Sequence, residues 1–163
     1  MLLQNKYDWI GWVDSDTMII DYNFNIKNDL IMKYNNYDIL IADDNQFITK
    51  GINSGIFFIK NSEIGFNFIV DTINQYKKNK KCRDSSNNLL GMFAGICYEQ
   101  AQMELQIQSK YKNNTFIIPK DIVLCTTKDI STNYHLKPFI YHLINTNTDK
   151  RNKIFKKIDT KNQ

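Results

Sequence analysis

The sequence has little cysteine, no long apolar run and no repeat, and each absence narrows what it can be. Cys82, Cys97 and Cys125 form an odd set without CxxC or Cys/His ligand spacing. Neither a disulfide framework nor a zinc site is signalled, and the cysteines read as free thiols, some of them buried. No apolar stretch approaches the roughly 18 residues of a membrane span, and the N-terminus lacks a secretory-leader pattern. No anchor or address is legible, and location stays open. No aromatic-interleaved basic strip or helix-turn-helix pattern accompanies the lysines, which argues against nucleic acid as a partner. Neither a linker nor an internal repeat divides the chain.

What is present fits one α/β domain over 1–163. At 163 residues and 19.3 kDa the chain is long enough to bury a core and short for a two-domain enzyme. Its 42% hydrophobic and 13% aromatic content is that of a globular protein. Much of the excess charge of +4 sits at Lys77-Lys78-Asn79-Lys80-Lys81 and in the basic segment 150–163. The first reads as a helix C-terminus favoured by the macrodipole, the second as a basic C-terminal helix and solvated tail. Asn113-Asn114-Thr115 is a glycosylation triplet that matters only in a secretory compartment.

Strands and helices alternate. Trp9-Ile10-Gly11-Trp12-Val13 reads as a buried strand with its tryptophans in the core, and it stops at the acidic turn Asp14-Ser15-Asp16. A short strand follows over 17–20 and a short helix over 26–34. Tyr37-Asp38-Ile39-Leu40-Ile41-Ala42 reads as a core strand ending in Asp43 and Asp44, acids that fit a solvated loop. A loop is expected over 45–50. Ile52-Asn53-Ser54-Gly55-Ile56-Phe57-Phe58-Ile59-Lys60 reads as a strand whose Gly55 marks a bulge or a close backbone approach. Asn61-Ser62-Glu63 offers caps to an amphipathic helix with Phe66, Ile69, Val70, Ile73 and Tyr76 near helical spacing. A second helix is expected over 98–111, with Ala101, Leu105 and Gln108 on one side. Short apolar pieces at 116–118 and 122–124 precede a strand, Pro138-Phe139-Ile140-Tyr141-His142, and a basic helix over 151–158. In such α/β sheets ligands bind beyond the strands' carboxyl ends, where Asp14/Asp16, Asn53/Ser54 and His142 fall.

An Asp-x-Asp turn after a strand can aim two carboxylates at one hard cation. Mg²⁺ and Mn²⁺ prefer oxygen ligands and keep positions open for phosphate oxygens. Taken singly, each of these residues has an ordinary reading. Acidic turns often follow strands, Asn53-Ser54-Gly55 suits a bulge, Glu99 and Gln100 suit a helix's first turn, and His142 suits a packed strand end.

Two longer segments go further. Tyr7-Asp8-Trp9-Ile10-Gly11-Trp12-Val13-Asp14-Ser15-Asp16-Thr17-Met18-Ile19-Ile20-Asp21 and, after it, Ile52-Asn53-Ser54-Gly55-Ile56-Phe57-Phe58-Ile59-Lys60-Asn61-Ser62-Glu63 resemble, in order and separation, the galactosyl/mannosyl/xylosyltransferase family of yeast and plants. Glu99-Gln100 and His142 resemble that family's acidic-Gln helix start and late metal-binding histidine. The resemblance implies a GT-A fold, Rossmann-like, and transfer of a hexose or pentose from a nucleoside-diphosphate sugar to a glycan or glycoprotein acceptor, with Mn²⁺ (or Mg²⁺) and anomeric retention. It implies Asp14, Asp16 and His142 as metal residues. Asp14, Ser15, Asp16, Asn53, Ser54 and Gly55 would line the donor cleft, and Glu99 and Gln100 would face the anomeric carbon.

The sequence departs from that family at both ends. His142 is followed by Leu143-Ile144-Asn145-Thr146-Asn147 in place of the family's glycine and basic residue, so the diphosphate contact would pass to Lys150 or Arg151. The acidic turn arrives by residue 14, whereas the strands and helices that clasp the base normally precede it. A partial GT-A fold lacking those first elements is therefore expected, with weak or absent transfer by the isolated chain. Two other functions fit less of the pattern. A haloacid-dehalogenase-like, Mg²⁺-dependent phosphotransferase would need Asp-x-Asp-x-Thr, and Thr17 comes one residue early. A non-catalytic glycosyltransferase remnant would keep the fold and lose the transfer.

Overall fold

All four residues of β3 (Ile39–Ala42) are buried, and they divide between two cores. Leu40 and Ala42 face a cluster that includes Leu30, Ile118, Val123, Phe139 and Ile140, whereas Ile39 and Ile41 face Ile59, Phe68, Met103, Ile107 and Tyr111. Period-two alternation with apolar residues on both sides is the signature of a strand covered on both faces. The computed structural model describes residues 6–44, 51–78, 82–88, 90–91, 95–126, 138–144 and 146–162. The loop expected over 45–50 lies outside the described residues.

β3 stands between β4 (Asn53–Lys60), antiparallel, and β5 (Thr115–Ile118), parallel. β1 (Trp9–Val13) pairs antiparallel with the other side of β4, giving the order β1-β4-β3-β5. A second, three-stranded sheet joins β2 (Thr17–Ile19), β7 (Ile140–His142) and β6 (Leu124–Thr126) in the order β2-β7-β6. β2 is antiparallel to β7, and β6 is parallel to it. The mixed α/β class expected from the alternation is the one found. The apolar piece at 122–124 divides, however: α3 (Lys120–Val123) ends where β6 begins.

β1 departs from the core strand its composition suggests. Among the described residues it is the outermost strand of its sheet, with Trp12 54% and Val13 45% exposed. Trp9 is half-buried against the first core cluster. Trp12 stacks on its cross-strand partner Phe57 at 6.3 Å between ring centroids, and its indole N–H donates to Asp14 Oδ1 at 2.8 Å. Aromatic content identifies a strand but does not distinguish an edge from a centre.

α1 (Glu63–Lys78) begins where Ser62 Oγ accepts a hydrogen bond from the Gly65 N–H at 3.1 Å, a side-chain cap of the kind expected. The buried stripe is Gly65, Phe68 and Thr72, while Phe66 and Ile73, expected on the core face, are 37% and 46% exposed. Gly65 sets this phase. A Cβ there would stand 2.2 Å from the Lys60 carbonyl oxygen and 2.7 Å from Ile59 Cγ2. Gly65→Ala is expected to lower stability by about 2 kcal/mol net, because overpacking of ~3 kcal/mol exceeds the ~1 kcal/mol gained in helix propensity. Denaturant unfolding measures this, and an unchanged midpoint would show that the helix start slides freely on β4.

α2 (Glu99–Gln106) buries Gln100 through Glu104 and then passes into a π-turn, Ile107–Tyr111. Leu105 is 38% exposed and Gln108 is exposed, contrary to the single face expected from the sequence. The extra residue of a π-turn rotates the helix, so Ile107 and Tyr111 reach the second core. Tyr111 OH and Lys110 Nζ both donate to Asp71 Oδ2 on α1, at 2.6 and 2.7 Å. The helix expected over 26–34 is a shorter π-type segment, Ile26–Ile31, capped by Asn25. α4 (Thr148–Asn162) ends the chain's regular structure.

Cys82 and Cys97 are joined in a disulfide, so the reading of all three cysteines as free thiols is corrected. The pairing is a tertiary fact: the turn after α1 and the turn before α2 meet because both helices lie on one face of the sheet. No motif spacing announces it.

Candidate functional site

The site is built where β1 runs out. The turn closes through Thr17 Oγ1, which donates to the Asp14 carbonyl at 2.7 Å, and the Asp14 N–H is tied to the Gly55 carbonyl of β4 at 2.9 Å. Beyond the turn β2 pairs Thr17 opposite His142, and the Leu143 N–H donates to the Asp16 carbonyl at 3.0 Å. Two pairings thus bring residues 126 positions apart onto one spot. His142 Nε2 lies 2.9 Å from Asp16 Oδ1 and 3.7 Å from Asp14 Oδ2. One donor atom from each of Asp14, Asp16 and His142 falls within 4.8 Å of the others. The imidazole is buried, and both carboxylates are partly open to solvent. Ser15, between them, is exposed. Two carboxylates and an imidazole are a hard oxygen and nitrogen donor set, suited to Mn²⁺ or Mg²⁺ with positions left for other ligands.

Gly55 lets the histidine in. A Cβ at that position would lie 2.3 Å from His142 Cε1, 2.7 Å from Nδ1 and 2.8 Å from Asn53 Oδ1. The expected close approach at this glycine is therefore to the imidazole, and the expected bulge falls here too: Ile41 of β3 pairs with Phe57 and Ala42 with Asn53, so Ser54, Gly55 and Ile56 are the extra residues on β4.

From Gly55 a polar seam runs along the ends of β4 and β3. The Gly55 N–H donates to Asn53 Oδ1 at 2.8 Å, and the Ser54 N–H donates to Gln100 Oε1 at 3.2 Å. Ser54 Oγ donates to Glu99 Oε1 at 3.1 Å and also approaches Gln100 Oε1 at 3.3 Å. Gln100 Nε2 in turn donates to Asp44 Oδ2 at 3.3 Å. Asn53, Ser54, Gln100 and Asp44 are all buried. Glu99 and Gln100, ordinary first-turn residues by sequence, are thus bound to β4 across 45 and 46 residues of chain.

Two residues had weaker sequence signals than their positions deserve. Asp44 is 8% exposed, not part of a solvated loop; the hint was its place directly after the core strand. Arg151, in the first turn of α4, reaches Asp16 Oδ2 with Nη2 at 3.6 Å, whereas its neighbour Lys150 is exposed. Only packing of α4 against the turn distinguishes these adjacent cations.

Burial holds the Asp44 carboxyl above its ordinary value of 3.8, against the opposing pull of the Gln100 hydrogen bond and the charge of Lys120. For an acid whose folded value is raised, stability falls as pH rises from the unfolded value through the folded one, and the full penalty persists above it. Asp44→Asn is therefore expected to raise the melting temperature at pH 7, with the gain shrinking to nothing as pH falls below 3.8. A gain of equal size at acid pH would refute this account.

No protein-family model matches the chain, and no curated protein sequence matches it. The resemblance noted above therefore rests on its motifs. Among the solved structures that share its fold is a glycosyltransferase involved in the glycosylation of the major capsid of PBCV-1, at a TM-score of 0.63 and 14% identity over 92% of this chain and 66% of that one. Another is the glycosyltransferase GlyE of Streptococcus pneumoniae TIGR4, at a TM-score of 0.52 and 13% identity over 93% of this chain and 40% of that one. The chain spans just under two thirds of the first and two fifths of the second. Its mixed α/β architecture is the fold of these solved glycosyltransferases.

Proposed function

We propose that this chain is the metal- and diphosphate-binding half of a GT-A type, nucleotide-sugar-dependent glycosyltransferase, moving a hexose or pentose onto a glycan or glycoprotein acceptor with retention. The convergence of Asp14, Asp16 and His142 carries the reading, because donors so far apart in sequence meet with cation-ligand chemistry. Asp16 and His142 would hold Mn²⁺ or Mg²⁺ directly, with Asp14 nearer the donor's ribose. When bound, the ion supplies positive charge against the leaving diphosphate.

The chain's own groups do the rest. Asn53, Ser54 and Gly55 form the wall beside the imidazole, and Ser15 is the exposed lip of the turn. Gln100 is oriented at both ends of its amide, by Ser54 and by Asp44, so its dipole is fixed before any substrate arrives. Glu99, bonded to Ser54 Oγ, places a carboxylate next to that amide, where charge developing at an anomeric carbon would be stabilised.

The third donor, His142, and the likeness to solved glycosyltransferases favour sugar transfer over a haloacid-dehalogenase-like phosphotransferase. Calorimetric titration with UDP- and GDP-sugars, with and without Mn²⁺, tests the proposal. Metal-dependent binding that disappears in Asp16→Ala supports it. Hydrolysis of p-nitrophenyl phosphate instead would move the reading to the phosphotransferase, and a chain blind to both would be a non-catalytic remnant.

A further inference from the structure

Trp12 is exposed in a place where an exposed indole needs a reason. Tryptophan gains most when its large apolar surface is covered, yet Trp12 stands 54% exposed near the end of β1. The ring is not loose. It lies nearly parallel to Phe57, its partner across the strand pair, with 11° between the two planes. Its N–H is engaged as well, donating to Asp14 Oδ1 at 2.8 Å. Strand geometry makes this contact. Side chains two apart share a face, and the bond from the Asp14 N–H to the Gly55 carbonyl carries the pairing of β1 with β4 one residue past Val13.

The two oxygens of Asp14 therefore have different surroundings. Oδ1 is held by the indole, and Oδ2 lies 3.7 Å from His142 Nε2. The Asp14 side chain is 34% exposed. Released from the indole, this carboxylate would be free to turn toward water, and an ion would have to arrest it on binding, at a cost in side-chain entropy.

Resting on the metal reading, we infer that Trp12 is a positioning residue for the ion. Its indole N–H holds Asp14 with Oδ2 turned toward His142 and Asp16, and Phe57 holds the indole in turn. Trp12 supplies no ligand atom itself, since an indole N–H only donates. Its effect is to keep a negative charge in place before the ion arrives. Groups that orient a ligand in this way set metal affinity by roughly 10–100-fold.

Mn²⁺ is titrated by calorimetry into wild type, Trp12→Phe, Asp14→Ala and the double variant. Phenylalanine keeps a ring to stack on Phe57 and loses the donor. Trp12→Phe is expected to bind Mn²⁺ about tenfold more weakly, with a thermal unfolding curve close to wild type, because one exposed hydrogen bond contributes little to stability. In the Asp14→Ala background the same substitution is expected to change the affinity by less than about twofold, since the group it orients is gone. A purely structural role would show no such dependence on Asp14. Emission gives a second readout, because Trp9 and Trp12 are the chain's two tryptophans. Paramagnetic Mn²⁺ is expected to quench the wild-type signal, and most of that quench is expected to vanish in Trp12→Phe at saturating Mn²⁺, where Trp9 alone emits.

An unchanged or raised Mn²⁺ affinity in Trp12→Phe would overturn the positioning role and leave the metal reading standing. An equal loss with and without Asp14 would also overturn it, assigning Trp12 to the stability of the β1 edge. Failure of the wild type to take up Mn²⁺ would sink the positioning role and the metal reading together.

Discussion

Asp16→Ala is expected to weaken Mn²⁺ binding by at least about a hundredfold, since loss of a mere outer-shell partner already costs some 10–100-fold at metal sites. Asp16 is the residue on which the site turns: Oδ1 meets His142 Nε2 at 2.9 Å and Oδ2 faces Arg151. Its removal leaves Asp14 and His142 as the only protein donors of the group, and releases Arg151 as an uncompensated cation beside them. The fold is expected to survive. Asp16 is partly solvated, and the main loss is one hydrogen bond to a buried imidazole, about 1 kcal/mol. Calorimetry on the variant, paired with its thermal unfolding curve, separates the two effects. Wild-type Mn²⁺ affinity in Asp16→Ala would remove the metal site, and collapse of the fold would mean that the pair is structural.

Gly55→Ala should strike stability and binding at once. The added methyl would overlap His142 Cε1 at 2.3 Å and Nδ1 at 2.7 Å, far inside contact distance. The imidazole has little room to retreat: it is 4% exposed, β7 holds it opposite Thr17, and the next residue's N–H is bonded to Asp16. Separation of β4 from β7 is the remaining relief, at a loss of about 3 kcal/mol or more for overpacking a fixed site. Mn²⁺ affinity should fall with it, because His142 leaves the carboxylates. The double variant Gly55→Ala/His142→Ala should regain most of the stability and none of the metal binding, a coupling expected only of groups in contact. A stable single variant with normal Mn²⁺ uptake would show that the ring moves aside without consequence.

The strands of the central sheet were legible because their signals are local. Buried β3 and β4 are β-branched or aromatic runs with abrupt polar ends, and the acidic turn after Val13 breaks the pattern visibly. The Asp14, Asp16 and His142 grouping was legible only as three separate strand-end residues. Their meeting depends on β2 pairing with β7, which no local pattern specifies. Other features depend wholly on packing. The exposure of Trp12 follows from the place of β1 in the sheet, the buried stripe of α1 from the contact at Gly65, and the burial of Asp44 from the approach of Gln100. The choice of Arg151 over Lys150 is of this kind too, since both lie in one basic turn and only the direction of α4 separates them.

The covalent tie between Cys82 and Cys97 closes just ahead of Glu99 and Gln100, so it anchors the very end of α2 that meets β4. Such bonds endure in secreted, lumenal or surface settings and are rare where glutathione keeps thiols reduced. In oxidising surroundings the carboxylate and amide at the start of α2 are held on a short tether. In a reducing cytosol the same two residues would hang from a longer loop, with the Ser54 hydrogen bonds left to position them.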